Sequence, residues 1–274
     1  MFCLQSIWLF KDKALKMKRS FFYKTLFNTL VQNIIEMDRN LLGLTLGPGL
    51  AIIIFIYWRD KLDPEPRKLL IKAFFLGCFS IVPAIIFNTI LKSILQVEIS
   101  DSIFETFTYA FFVVGLAEEF SKFMFLRWSL FLRPEFDEPY DGITYAVMIA
   151  MGFATLENFM YVYRASNAYD VAWLRAFTAV PAHATFAIAM GYFTGLAKFN
   201  KEKKFIYLLK GLLLAIVLHG FYDFLLMQKN FPQIAFGAFV SVAISIYFSL
   251  KAIKLHQAIS PHKSVNTSWK KWKL

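Results

Sequence analysis

Long apolar runs alternate with short charged stretches along this chain. A helix rises about 1.5 Å per residue, so crossing a bilayer takes roughly 20 mostly apolar residues. Seven runs meet that length: Leu41–Trp58, Leu69–Leu91, Phe104–Trp128, Ile143–Tyr163, Trp173–Phe199, Phe205–Met227 and Ile234–Ile253. The pattern predicts an all-α fold, a polytopic transmembrane bundle of about seven spanning helices within 41–254. No soluble domain fits between neighbouring runs, and no internal repeat is visible.

Charge fixes an expected orientation, because basic residues gather in cytoplasmic loops. The connection after the first run holds Arg59, Lys61, Arg67 and Lys68, and the one after the third holds Arg127 and Arg133. Lys198, Lys201, Lys203 and Lys204 follow the fifth run, and a basic tail, 255–274, follows the last. The alternate loops are poor in lysine and arginine. We therefore expect a multi-pass protein of the plasma membrane with a cytoplasmic C-terminus. The net charge of +11 then reflects loops that meet anionic lipid, and no nucleic-acid partner is expected. Cys3 and Cys78 support no disulfide framework.

Residues 1–40 conflict with that orientation, since they are basic and precede a span expected to start outside. Two explanations compete. Phe22, Leu26, Leu30 and Ile34 have helical spacing, so Phe21–Ile35 reads as an interfacial amphipathic helix. Alternatively the native start is Met37, the slightly favoured reading. Met1–Phe10 does not read as a cleavable signal peptide, because its basic residues follow the apolar stretch.

A charged side chain at the centre of a span costs roughly 2.5–3.5 kcal/mol on insertion scales. This chain carries Glu118, Glu119 and Lys122 in the third run and Glu157 and Asn158 in the fourth. The fifth holds His183, and the sixth His219 and Asp223. Glu118 and Lys122 are four apart, as are His219 and Asp223, so each pair shares a helix face. Depth at about 1.5 Å per residue puts Glu118 roughly 20 Å, and His183 roughly 15 Å, from the outer ends of their spans. Each residue has an ordinary structural reading. Lys122 reads first as a partner for Glu118 or a snorkelling side chain. Glu157 pairs with Arg164 or with a histidine, and Asn158 joins two helices. Two histidines and several carboxylates on adjacent helices together point to a site in one hydrated pocket.

A carboxylate beside an imidazole can hold and deprotonate water, and a second imidazole can donate to an oxyanion. That chemistry is water attack on an amide. Glu118, Glu157, His183 and His219 would equally suit a catalytic zinc with an open position, although no HExxH occurs. Serine catalysis is disfavoured, because no Gly-x-Ser-x-Gly occurs. Intramembrane Glu, Lys, His and Asp also mark ion pathways, so a proton- or ion-coupled transporter is the alternative. Against it, no pair of matched Gly/Pro-broken helices is visible. A non-catalytic scaffold is the third reading.

Five pieces of the chain carry a resemblance: "YWRDKLDPEPRKLL", "AEEFSK", "DEPYDGITYAVMIAMGFATLENFMYV", "PAHATFA" and "HGFYDFLL". In this order and spacing they resemble the PrsW family of intramembrane proteases. They are more distantly similar to the CAAX prenyl endopeptidase and bacteriocin-processing superfamily. The likeness runs from about Leu41 to Leu250. It implies an endopeptidase that cuts a single-span membrane protein near its extracytoplasmic side, an anti-sigma factor for the family's type member. It also implies catalytic roles for Glu118, Glu119, His183, His219 and Asp223, with Lys122, Glu157 and Asn158 in support. By analogy Glu118 with His183 would activate water, while His219 with Asp223 would bind the oxyanion. Glutamate and metal mechanisms both remain open at this point, as does the oligomeric state.

Overall fold

The computed structural model describes residues 38–228 and 232–262. The stretch Phe21–Ile35, the alternative start at Met37 and most of the basic tail lie outside them. Every regular element among the described residues is helical. In chain order these are α1 (Arg39–Arg59), α2 (Arg67–Leu95), α3 (Ile103–Thr108), a π-helical segment (Tyr109–Gly115) and α4 (Leu116–Ser129). Then come α5 (Pro139–Arg164), α6 (Ala168–Phe177), α7 (Ala179–Phe199), α8 (Lys204–Leu226), a 3-10 turn (Pro232–Ala235) and α9 (Phe236–Ala258). The expected all-α bundle is present.

Helix ends follow local chemistry. Asp63-Pro-Glu-Pro66 cannot continue a helix, and α2 starts directly after it. α2 stops at Gln96, whose φ of 52° is left-handed. Glu138 and Asp141 form a reciprocal capping box at the start of α5, with Pro139 in its first turn.

Six helical stretches are long and apolar enough to cross a membrane: α1, α2, α5, α6 with α7, α8, and α9 with its preceding turn. The third expected span is also helical throughout, from Ile103 to Ser129, and carries Glu118, Glu119 and Lys122 within it. Its middle is π-helical, which inserts an extra residue per turn and re-phases every side chain after it. Periodicity gave no sign of this.

The fifth span differs from expectation. Trp173–Phe177 belongs to the separate helix α6, and the chain breaks at Thr178, with φ −122° and ψ −72°. Pro181 supplies the reason. Its ring would clash with the carbonyl of Phe177 in a continuous helix, so α7 begins at Ala179 with the proline in its first turn. His183 therefore lies only about 6 Å along its helix, not roughly 15 Å.

The bundle is built around α5, which is buried at almost every position from Pro139 to Ala154. Glycines let its neighbours approach. A Cβ at Gly152 would overlap the carbonyl of Phe74 on α2, and one at Gly142 would overlap that of Gly191 on α7. Close crossings of this kind are the usual device of membrane helices. Large apolar side chains cover the outside instead, with Phe104 76% and Phe205 75% exposed. Such a surface is stable only against lipid or another apolar phase.

Candidate active site

The polar residues singled out in four separate runs meet inside the bundle. Glu119, Lys122, Glu157, Asn158, His183 and His219 are all buried, while Glu118 and Asp223 keep slight exposure. Each arrives from a different wall: the glutamate pair and Lys122 from α4, Glu157 and Asn158 from α5, His183 from α7, and His219 and Asp223 from α8. The last turns of α5 and the first turns of α7 bring Glu157 and His183 together. The π segment packs on α8, where a Cβ at Gly115 would lie 3.2 Å from Gly220 N.

The two glutamates of the pair are not equivalent. Glu119 Oε1 accepts from Lys122 Nζ at 2.8 Å and from His219 Nδ1 at 2.8 Å. Lys122 pairs with Glu118 as expected, at 3.5 Å, and more closely with Glu119. Lys122 Nζ also lies 3.1 Å from His183 Nδ1 and 4.0 Å from the centre of the Phe153 ring. An ammonium can only donate, so His183 keeps its hydrogen on Nε2 and donates to Glu157 Oε2 at 2.9 Å.

Glu157 is held from its other side by Arg175 Nη2 at 2.6 Å, and Arg175 Nε donates to Asn158 Oδ1 at 2.7 Å. The partner is therefore Arg175 of α6 and a histidine, not Arg164. Asn158 also bridges helices as expected, donating to the carbonyl of Thr45 on α1 at 3.4 Å. Arg175 is not among the residues that the sequence singled out. The signal that pointed to it was the unmet need of a buried Glu157 for a cation.

Two atoms are left open. Glu118 Oε2 is buried and makes no hydrogen bond. His219 Nε2 has only long approaches, 3.4 Å to Asp223 and 3.9 Å to Glu118. Phe186 stacks on the His219 ring at 5.0 Å, fixing its plane. Glu118 also borders a cavity of about 590 Å³, whose walls include Ile81, Ile85 and Asn88 of α2, Phe153 and Met160 of α5, and Val171 of α6.

Glu118, His183 and His219 each offer one ligand atom, all within 4.8 Å of one another. One carboxylate and two imidazoles form a donor set that suits zinc. The orphaned Glu118 Oε2 and the open His219 Nε2 are atoms that a cation would satisfy, whereas His183 would join them only by giving up its contact with Lys122 or Glu157. Glu157 is not in that set; its oxygen is taken by Arg175 and His183.

The family described as "PrsW family intramembrane metalloprotease" matches residues 65–250. A "Protease PrsW" of Geobacillus kaustophilus is 32% identical over 229 residues, covering 82% of this chain and 98% of that relative. One from Clostridioides difficile is 38% identical, covering 68% of this chain and 80% of the relative. One from Bacillus subtilis is 32% identical, covering 66% and 80%. No solved structure gives a significant match. The transporter reading gains no support from these likenesses. The match takes in every helix that supplies the buried cluster, and it makes this chain a member of the PrsW family of intramembrane proteases.

Proposed function

We propose that the chain cuts a single-span membrane protein near the extracytoplasmic side of the plasma membrane, with Glu118 as the base that activates water. The observation that carries this is the buried Glu118 Oε2, which accepts no hydrogen bond, has Lys122 at 3.5 Å and His219 at 3.9 Å, and lies against a largely apolar cavity. A segment of substrate in that cavity would present its amide to a carboxylate that accepts no hydrogen bond. Glu118 takes a proton from the water as its oxygen attacks the carbonyl carbon, then returns it to the departing amide nitrogen. His219, fixed through Nδ1–H by Glu119 and carrying a second proton, donates from Nε2–H to the carbonyl oxygen as negative charge develops there. His183 is oriented by Lys122 and Glu157, and Glu157 by Arg175, so these residues position rather than react. Were a zinc-class cation bound, Glu118 Oε2 and His219 Nε2 would be ligands rather than base and oxyanion donor, and the cation would supply Lewis-acid polarisation of the carbonyl and a more acidic water.

The basic ends of the bundle favour a cytoplasmic C-terminus, which puts the starts of α6 and α7 on the opposite side. An anti-sigma factor is the substrate that the resemblance suggests. The test is co-expression with a tagged single-span substrate. Glu118→Gln and His219→Ala should each abolish cleavage at unchanged protein level, and cleavage that survives chelation in the wild type would assign water activation to Glu118 without a cation. Unaltered cleavage by Glu118→Gln would end this reading.

A further inference from the structure

Acidic groups also gather at the other end of α5. Asp141 lies sixteen residues before Glu157, roughly 24 Å along the helix, so this cluster is separate from the protease site. Asp60, Asp63 and Glu65 come from the α1–α2 loop, Asp137 and Glu138 from the α4–α5 loop, and His262 follows α9. His262 Nε2 is 3.6 Å from Asp63 Oδ2 and 3.5 Å from Asp137 Oδ1. Among the described residues it is the only group that forms an ion pair with any of these acids. Lys198 is near but donates instead to the carbonyls of Phe131 and Arg133.

We propose that Asp63, Asp137 and His262 form a second metal site, one that takes a divalent transition-metal cation and clamps the end of α9 to the two loops. Three observations converge on it. The three ligand atoms lie within 4.8 Å of one another. Bonds of about 2.1 Å at tetrahedral angles put neighbouring ligands about 3.4 Å apart, close to the two separations seen. Behind them, Asp60 Oδ1 and Asp141 Oδ1 are buried and unpartnered, on side chains 3% and 0% exposed. Asp141 spends its other oxygen on the N–H groups of Asp137 and Glu138, both at 2.8 Å, and so fixes the backbone that presents Asp137. Buried carboxylate oxygens without a donor are costly unless a cation sits nearby.

The third observation is preorganisation of His262. Ser260 donates to Glu138 and accepts from His262 N–H at 3.2 Å, and His256 Nδ1 lies 2.8 Å from the carbonyl of Pro139. Side-chain exposure of 34–51% leaves the three ligands open to solvent for metal entry. An imidazole ligand favours zinc over calcium or magnesium, which prefer all-oxygen sites; manganese also suits oxygen donors and binds more weakly than zinc.

The test uses the full chain purified in detergent, stripped with chelator and titrated with Zn²⁺ or Mn²⁺ while thermal unfolding is followed. The wild type and Glu118→Gln should both gain several degrees in Tm, rising with cation concentration. Made in the Glu118→Gln background, which removes a ligand of the protease-site set, Asp137→Asn, Asp63→Asn and His262→Gln should each lose the gain while keeping the metal-free Tm near that of Glu118→Gln. The proposal fails if no gain occurs, if it survives His262→Gln in that background, or if Glu118→Gln alone removes it. In that case His262 only bridges two aspartates. Should one of the three variants not fold, Co²⁺ absorption of the other two against the wild type decides.

Discussion

Replacing Glu119 by glutamine separates charge from shape at the centre of the site. The amide oxygen still accepts from His219 Nδ1–H, but Lys122 loses the carboxylate 2.8 Å away. The carboxylate left within ion-pair range is Glu118, at 3.5 Å. Lys122 then draws in the oxygen that otherwise faces the cavity and ties up the base. Glu119 and Lys122 have side chains 1% and 4% exposed. Removing one member of such a pair costs about 3–5 kcal/mol, whereas replacing both with neutral groups of similar size is often near neutral. Because Glu118 partly substitutes for Glu119, Glu119→Gln should sit near the lower limit, about 3 kcal/mol. Loss of an orienting partner lowers activity about 10–100-fold. The double variant Glu119→Gln/Lys122→Met should regain most of the stability and part of the activity, because Glu118 is released. Melting of the detergent-purified chain and cleavage of a single-span reporter give the two readouts. Wild-type activity and Tm in Glu119→Gln would refute the reasoning. So would a double variant as unstable as the sum of the singles, since contacting residues must couple.

Four further outcomes are expected. Glu118→Gln should abolish cleavage yet melt like the wild type, because Oε2 has no hydrogen bond to lose; a falling Tm would make Glu118 structural. Arg175→Met should cost about 2 kcal/mol and about 10–100-fold in cleavage, since Glu157 and Asn158 lose bonds of 2.6 and 2.7 Å. Gly152→Val should prevent accumulation of folded protein, seen as loss of a monodisperse peak on size exclusion, because the crossing with Phe74 admits no side chain. Burial, with Glu138 as the next contributor, pushes Asp60 up to about 7 from 3.8. A raised carboxyl pKa favours the fold in acid and withdraws that contribution as pH climbs through the folded value. In chelator, Tm should therefore fall between about pH 4 and 7, and Asp60→Asn should flatten that slope.

The apolar runs by themselves determined the helical bundle and where its six long apolar stretches lie, because hydrogen-bonding backbone in lipid leaves a helix as the economical choice for such segments. The cost of intramembrane charge likewise marked Glu118, Glu119, Lys122, Glu157, Asn158, His183, His219 and Asp223 as one group before any geometry was known. Spacing did not reveal the assignments within it. That Lys122 serves Glu119, and that Arg175 rather than Arg164 holds Glu157, follow from helix crossings and from the break at Thr178. The π segment before Glu118 has no periodic signature, yet it decides which glutamate faces the cavity. Local sequence fixes which residues cannot face lipid; only packing between distant helices decides which of them satisfy one another and which oxygen is left open.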